Sequence, residues 1–247
     1  MVADLDSARH RRDLGLWKAE GTKCVLDLTA GFRPEILFAT AAWLELHPHI
    51  KAREIITVAA RDMGRLSRLS SPPEVIALFS LPCFEPHIPS DNELVVALDT
   101  VQDPGNLGTI IRTCDWFGVR HIVCSPDTVD AFSPKVVMAT MGALARVEVS
   151  YTPLAEWLEA ASARGVNIYG TFLNGDNIYD IRFLESGSVV VMGNEGKGIS
   201  SQVEQIITRR IHIPSYPIGQ TTSESLNVAT ATAITLSEMR RRALTSE

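Results

Sequence analysis

The chain has 247 residues, 45% of them hydrophobic and 21% charged, with a formal net charge of −6. This length and balance exclude a disordered or fibrous chain and leave room for one large domain or two ordinary ones, each with a real core. No apolar run reaches the roughly 18 residues of a membrane span, and the net charge of −6 argues, if anything, against nucleic acid as a partner, although a local basic patch matters more than a total.

The start, MVADLDSARHRRDLGLW, lacks the basic-then-apolar pattern of a signal peptide. Cys24, Cys83, Cys114 and Cys124 include no C-x-x-C pair, so the expectation is a cytoplasmic chain with reduced, structural thiols rather than a disulfide frame or a zinc site. The charge is uneven. Up to Phe84 there are 11 Lys+Arg against 10 Asp+Glu; the remainder holds 12 against 19, an asymmetry that suggests two domains with different tasks.

In chain order, a basic helix is expected from Leu5 to Lys18, followed by apolar runs at Cys24–Leu28, Ile36–Thr40, Glu54–Val58 and Val75–Phe79. Helices fall between them around Ala41–Leu46 and Met63–Leu69. Short alternating elements of this kind predict a small α/β sandwich over residues 1–84. The stretch Leu81–Ser90 carries three prolines and no period, and places a linker at 85–92. From residue 93 the pattern strengthens. Leu94-Val-Val-Ala-Leu98 reads as a buried parallel strand, and Leu107–Phe117 as a helix ending at Gly118. Further strands are expected at His121–Cys124, Arg146–Val149, Val166–Tyr169 and Ser188–Met192, with helices at Pro134–Leu144 and Leu154–Ala163. Strands alternating with helices predict an α/β domain over 93–247, built on a mostly parallel sheet covered on both faces.

In such a sheet ligands bind where strand ends meet loops, and three loops here have unusual composition. Asp99-Thr-Val-Gln-Asp-Pro-Gly-Asn-Leu-Gly-Thr-Ile-Ile-Arg112 makes a turn at Pro104-Gly105, with Asn106 a candidate helix cap. Arg112 lies six residues after Asn106; near the start of a helix, where the dipole favours anions, an arginine makes sense if it faces an anionic ligand. Gly193-Asn-Glu-Gly-Lys-Gly198 has three glycines in six residues. It is neither a P-loop nor a dinucleotide fingerprint, and alone it is more often a plain turn before a helix, with Glu195 in its middle favouring a site. Ile211–Ala233 begins as a strand, passes through a Pro-, Gly-, Ser- and Thr-rich loop, and ends in a helix of small residues from Val228 to about Arg241. Ser223 or Ser225 could cap that helix. His47-Pro-His49 suggests a metal only in isolation. With no further ligands near it in sequence, a surface turn is the simpler reading and no metal is expected.

Together, N-x-x-x-x-x-R, G-x-E-G-x-G and I-P…S-L-N-V, in this order, resemble the SpoU family of RNA ribose 2′-O-methyltransferases within the SPOUT superfamily. The resemblance covers residues 93–247. Residues 1–84 are similar, more weakly, to the L30e-like RNA-binding domain that precedes the catalytic domain in such proteins, through Glu20-Gly-Thr-Lys-Cys-Val25 and Ser67-Arg-Leu-Ser-Ser-Pro72.

The resemblance implies a parallel sheet with a C-terminal trefoil knot, S-adenosylmethionine as cofactor, RNA (above all ribosomal RNA) as substrate, and a homodimer formed through the catalytic domain. Carried over by position, Gly193, Glu195, Gly196, Ile213, Pro214 and Leu226 would hold the cofactor. Asn106, Arg112, Glu195, Ser225 and Asn227 would carry the chemistry, with Arg112 reaching a partner's pocket. A ribose hydroxyl needs its proton taken or its developing charge stabilised. Because an arginine is locked in its protonated form, a phosphate-clamping, electrostatic role for Arg112 is preferred to that of a base. Arg9, Arg11, Arg12, Lys18 and Lys23 are the candidate RNA phosphate contacts, although charge alone equally fits a solvated helix face. Between Pro214 and Ser225 the chain is longer than the common family pattern. Two other readings stay open: a tRNA 2′-O-methyltransferase, and a non-catalytic RNA-binding or ribosome-assembly protein on the same fold. A small-molecule enzyme is disfavoured by the motif set.

Overall fold

The computed structural model of the chain describes residues 2–67, 69–183, 187–217 and 223–244. In order, its elements are α1 (Ala8–Leu14), β1 (Leu16–Glu20), α2 (Thr22–Leu28), β2 (Pro34–Ala39), α3 (Ala41–Leu46), β3 (Glu54–Thr57), α4 (Ala60–Leu66) and β4 (Val75–Ser80). There follow β5 (Leu94–Leu98), α5 (Pro104–Trp116), β6 (His121–Cys124), α6 (Pro134–Thr140), β7 (Glu148–Tyr151) and α7 (Leu154–Ser162). The chain continues through β8 (Asn167–Asn177), β9 (Ser188–Met192), α8 (Ser201–Glu204), β10 (Arg209–His212) and α9 (Val228–Leu244).

Two compact units are present: Met1–Cys83 with Asp130–Arg146, and Phe84–Val129 with Val147–Glu247. The first contains a sheet of order β1-β4-β2-β3, in which β4 runs antiparallel to both neighbours while β2 and β3 are parallel. Trp17 on β1 is fully buried and stacks on Phe79 of β4 at 4.7 Å. Two expectations fail here. The N-terminal helix stops at Leu14, because Gly15 turns left-handed (φ 63°) and its N–H closes onto the Arg11 and Arg12 carbonyls. Lys18 therefore lies on a strand. Residues 24–28 form the end of a helix rather than a strand. Val25 and Leu28, three apart, are its buried face, and a short apolar run carries no signal to separate the two cases.

The segment 130–146 packs with this first unit rather than with its neighbours in sequence. Phe132 lies 5.1 Å from Trp17, and Asp130 pairs with Arg11. Gly142 sits where a Cβ would come within 2.3 Å of the Asp27 side chain. A single linear boundary near residue 90 thus misses an exchange of chain between the units.

The second unit is built on a six-stranded parallel sheet, β10-β8-β9-β5-β6-β7. Strands β5 and β9 are buried along their whole length, as continuous apolar runs in a doubly covered sheet require. Val95, Ala97, Val189 and Val191 join Leu154, Trp157, Leu158 and Ala161 of α7 in one core cluster. Strand β8 is longer than the apolar run Val166–Tyr169 announces. Its polar second half continues beside β10 across a register shift between Arg210 and Ile211.

Candidate active site

The carboxyl ends of β5, β9 and β10 open onto one edge of the sheet, with Leu98 and Met192 paired in register. The loops that leave β5 and β9 are stitched together. Buried Asp99 accepts from the Ser200 N–H at 2.7 Å, and Asn194 Nδ2 donates to the Thr100 carbonyl at 2.7 Å. Thr100 is left-handed (φ 61°), an uncomfortable state for a β-branched residue, and is held there by its N–H donating to Ser125 Oγ at 2.8 Å. Backbone strain of this kind collects at functional sites.

Within the glycine loop, Asn194 Oδ1 accepts from the N–H groups of Gly196 and Lys197, both at 3.0 Å. The loop closes through paired Asn194–Gly198 backbone bonds of 3.0 and 2.9 Å. The glycines serve different purposes. At Gly193 a Cβ would lie 2.4 Å from the Gly198 and Ile199 backbone, so the turn cannot close around a side chain; Gly198 needs φ 72°. Gly196 instead faces open space, with only Asn194 Oδ1 nearby at 3.7 Å. Asn194 was not among the expected site residues. Its two-residue-on amide contact is a turn signal common to many asparagines and does not by itself mark a site.

Asn106 is not the cap of α5. Asp103 is: its Oδ1 accepts from the Asn106 N–H at 2.8 Å, and Pro104 follows at the first helical position. Asp-Pro at a helix start is a signal the sequence does contain. The Asn106 side chain is thereby left for long-range contacts. Its Nδ2 donates to Glu195 Oε1 at 2.9 Å, and its Oδ1 accepts from Asn227 Nδ2 at 2.8 Å. Asn227 in turn accepts from the N–H groups of Ala229 and Thr230 at 3.0 and 3.2 Å, and so caps α9 in place of Ser223 or Ser225. One hydrogen-bonded chain, Glu195–Asn106–Asn227–α9, joins all three motif loops.

Arg112 is the ninth residue of α5, more than two turns in, so the helix-dipole argument for it lapses. It is exposed and makes no hydrogen bond or ion pair among the described residues. Ser225 is likewise exposed and unbonded among them, and Leu226 is 49% exposed. Ile213 and Pro214, half-buried, follow β10 directly; beside them His212 Nδ1 is buried without a partner among the described residues. Residues 218–222, in the long stretch between Pro214 and Ser225, lie outside the described residues. Helix α9 runs alongside α5, and Arg240 near its end donates to the Phe117 carbonyl at 2.7 Å and to that of Gly118 at 3.2 Å. Cys114 and Cys124 are fully buried, and burial pushes both thiols up, as expected of core residues.

Two of the proposed phosphate contacts must be withdrawn. Arg11 is 2% exposed; it donates to Asp130 at 2.5 Å and to the Leu5 and Asp6 carbonyls. Lys18 is also 2% exposed, with its Nζ 2.8 Å from Asp6 and 2.7 Å from Glu20. Both charges are consumed by internal pairing, which a count of basic residues cannot reveal. Arg9, Arg12 and Lys23 are exposed, with Lys23 paired to Asp27 at 2.9 Å.

A parallel α/β sheet with a polar, glycine-bearing constellation at its carboxyl edge defines a ligand-binding enzyme fold rather than a structural module. The chain belongs to the SpoU rRNA methylase family, whose pattern matches residues 93–237. It is 39% identical to the 23S rRNA guanosine 2′-O-methyltransferase RlmP of Bacillus subtilis over 59% of this chain, a match that spans 57% of that relative. Two solved structures resemble nearly the whole chain. A TrmH-family protein from Porphyromonas gingivalis has a TM-score of 0.89 at 38% identity, covering 98% of this chain and 96% of its own. The SpoU methyltransferase AviRb from Streptomyces viridochromogenes, in complex with the cofactor AdoMet, has a TM-score of 0.85 at 26% identity, with the same coverage.

Proposed function

We infer that the chain is an S-adenosylmethionine-dependent enzyme that methylates a ribose 2′-hydroxyl of RNA, with ribosomal RNA as substrate. The observation that carries this reading is the chain Glu195–Asn106–Asn227, which gathers all three motif loops at the ligand-binding edge of the sheet. The substrate follows the relatives, of which RlmP is named for 2′-O-methylation of 23S rRNA.

The local chemistry suits the cofactor. Gly196 leaves open space for a close backbone approach, Ile213, Pro214 and Leu226 offer apolar surface, and the unpartnered His212 Nδ1 is the kind of polar atom that a ligand or water satisfies. Gly193, Glu195, Gly196, Ile213, Pro214 and Leu226 are the residues that would hold it. When bound, it supplies an electrophilic methyl group on a sulfonium.

The protein's task is then to orient the ribose and to stabilise charge as the 2′-hydroxyl gives up its proton. Asn106 and Asn227 each spend one amide hydrogen inside the chain and keep a second for the ribose. Arg112, permanently charged, clamps the phosphate and steadies the developing alkoxide. Glu195 holds Asn106 in place. Ser225, beside Asn227, is a further ribose contact.

The same reading includes a trefoil knot in the C-terminal segment, a homodimer through the catalytic unit in which Arg112 reaches the partner's pocket, and a cytoplasmic setting. It assigns residues 1–84 as an L30e-like RNA-binding domain that uses Arg9, Arg12 and Lys23. Among the described residues no helix is long and apolar enough to cross a membrane.

The test is to incubate the purified chain with S-adenosylmethionine and unmodified ribosomal RNA, then to map 2′-O-methylated positions. A new methylated ribose in ribosomal RNA is expected. Methylation of tRNA alone would replace the substrate, and no cofactor binding by calorimetry would remove the enzyme.

A further inference from the structure

The amino-terminal edge of the same parallel sheet, opposite the catalytic loops, carries a cluster that the methyltransferase reading does not use. Glu93 stands immediately before β5, His121 opens β6 and Glu148 opens β7; His121 and Glu148 are register partners. His87 comes from the proline-rich segment that precedes β5. Its Nε2 lies 2.8 Å from Glu93 Oε2, and His121 Nε2 lies 3.8 Å from Glu93 Oε1. The two imidazoles are stacked with centroids 4.1 Å apart. One ligand-type atom from each of His87, Glu93 and His121 falls within 4.8 Å of the others.

We propose that His87, Glu93 and His121 form a binding site for one zinc ion, with Glu148 orienting His121. Donor atoms about 2.0–2.1 Å from a tetrahedral zinc stand about 3.3–3.4 Å from one another; here one donor atom from each residue lies within 4.8 Å of the others, so the side chains would draw together around the ion. Two imidazoles and one carboxylate are a donor set suited to zinc, and they leave a position for water. The surroundings of the donors point the same way. His121 Nδ1 faces Glu148 Oε2 at 3.4 Å, the carboxylate–histidine arrangement that fixes a ligand's tautomer and turns its Nε2 toward a metal. Glu93 Oε2 is held by both the N–H and the hydroxyl of Ser90 at 3.0 Å.

The ion would act as a staple. The segment from 81 to 90 has no helix or strand of its own, and His87 is the residue by which the zinc would fasten it to the sheet. The expectation of no metal rested on the absence of a C-x-x-C pair and on the isolation of His47 and His49. These ligands are scattered in sequence, and no C-x-x-C or H-x-x-H spacing announces them.

The full-length chain, freed of metal with a chelator and dialysed, would be titrated with zinc alone against a chromophoric competitor. One equivalent is expected to bind, raising the melting temperature and shifting the ring resonances of two of the six histidines. His87→Gln and His121→Gln should weaken binding by at least about 100-fold, and Glu148→Gln by about 10- to 100-fold. His47→Ala with His49→Ala should leave it unchanged. Circular dichroism in chelator checks that each variant folds, and the histidine resonances of the unmodified chain decide the matter if one does not. No binding near one equivalent overturns the proposal, as does binding that survives His87→Gln and His121→Gln or shifts other histidines. None of these readouts depends on methyl transfer.

Discussion

Asn106 and Asn227, 121 residues apart, share a 2.8 Å hydrogen bond whose direction is forced from both ends. At one end the Glu195 carboxylate can only accept; at the other the Ala229 and Thr230 N–H groups can only donate. Each asparagine must therefore present its amide nitrogen toward Glu195 and its oxygen toward α9, and no flip of either amide satisfies the chain. Asn106→Ala is expected to lower kcat by about 100-fold through misplacement of the loops. Asn106→Asp should be worse, because it turns a donor to Glu195 into a like charge. Single-turnover rates of methyl transfer to RNA check this; equal rates for the two variants would show that the polarity of the chain does not matter.

Arg112 separates two chemistries. If it clamps and stabilises, Arg112→Ala is expected to reduce kcat by about 100- to 1,000-fold at every pH, with Arg112→Lys intermediate and parallel. If it is a base, Arg112→Lys should recover near-normal turnover as pH rises while Arg112→Ala stays inactive. Rate–pH profiles for the two variants distinguish these outcomes.

The glycine loop predicts a split between stability and binding. Gly193→Ala puts a Cβ into backbone that cannot move aside, so the loop should be lost, with a lower melting temperature and no cofactor binding. Gly196→Ala adds its methyl to open space and should melt like the parent. Its cofactor affinity should nonetheless fall, as calorimetry would detect.

Among the basic residues, interior and surface should respond oppositely. Arg11→Ala and Lys18→Ala each abandon paired acidic groups and are expected to cost about 3–5 kcal/mol in urea unfolding. Arg9→Glu with Arg12→Glu should leave stability nearly unchanged, weaken RNA binding and flatten its salt dependence. A salt slope equal to the parent's would remove the first unit's N-terminal helix from the RNA interface.

Helix α9 carries its own acid sensor. Hydrogen bonds from Arg241 outweigh burial and, with Arg242, hold buried Glu238 down at about 2. A carboxylate depressed in the folded state contributes stability that is full above its ordinary pKa near 4.3 and lost as pH falls toward 2. Glu238→Gln should therefore destabilise the protein at pH 7 and approach parental stability near pH 2. Thermal melts across that range would show the two curves converging; a constant gap would contradict the assignment.

The parallel sheet was legible because β5 and β9 are buried on both faces and so are written as unbroken apolar runs. The three motif loops were legible by composition, and Glu195, Asn106 and Asn227 do meet. What stayed hidden has physical reasons. The polar half of β8 has no apolar signature because its pairing is made by backbone. Lys18 looks like a surface cation until Asp6 and Glu20 are brought to it by the fold. The packing of 130–146 depends on Phe132 finding Trp17, a contact more than a hundred residues long that no local pattern encodes. Asn106 also read as a plain helix cap, but Asp103 takes the cap and leaves the Asn106 side chain for Glu195 and Asn227.

Helices α5 and α9 are tied at both ends: Asn106 to Asn227 where they start, and Arg240 to the Phe117 and Gly118 carbonyls where α5 stops. Between its ties α5 spans about 17 Å of helix and α9 about 20 Å, the long Arg240 side chain making up the difference. Inserting or deleting even one residue inside either helix would rotate its side chains by about 100° and break one tie or the other. Any drift in chain length among relatives is thereby pushed out of the helices. The stretch between Pro214 and Ser225 is where such slack can accumulate while the distance from Glu195 to the start of α9 stays fixed.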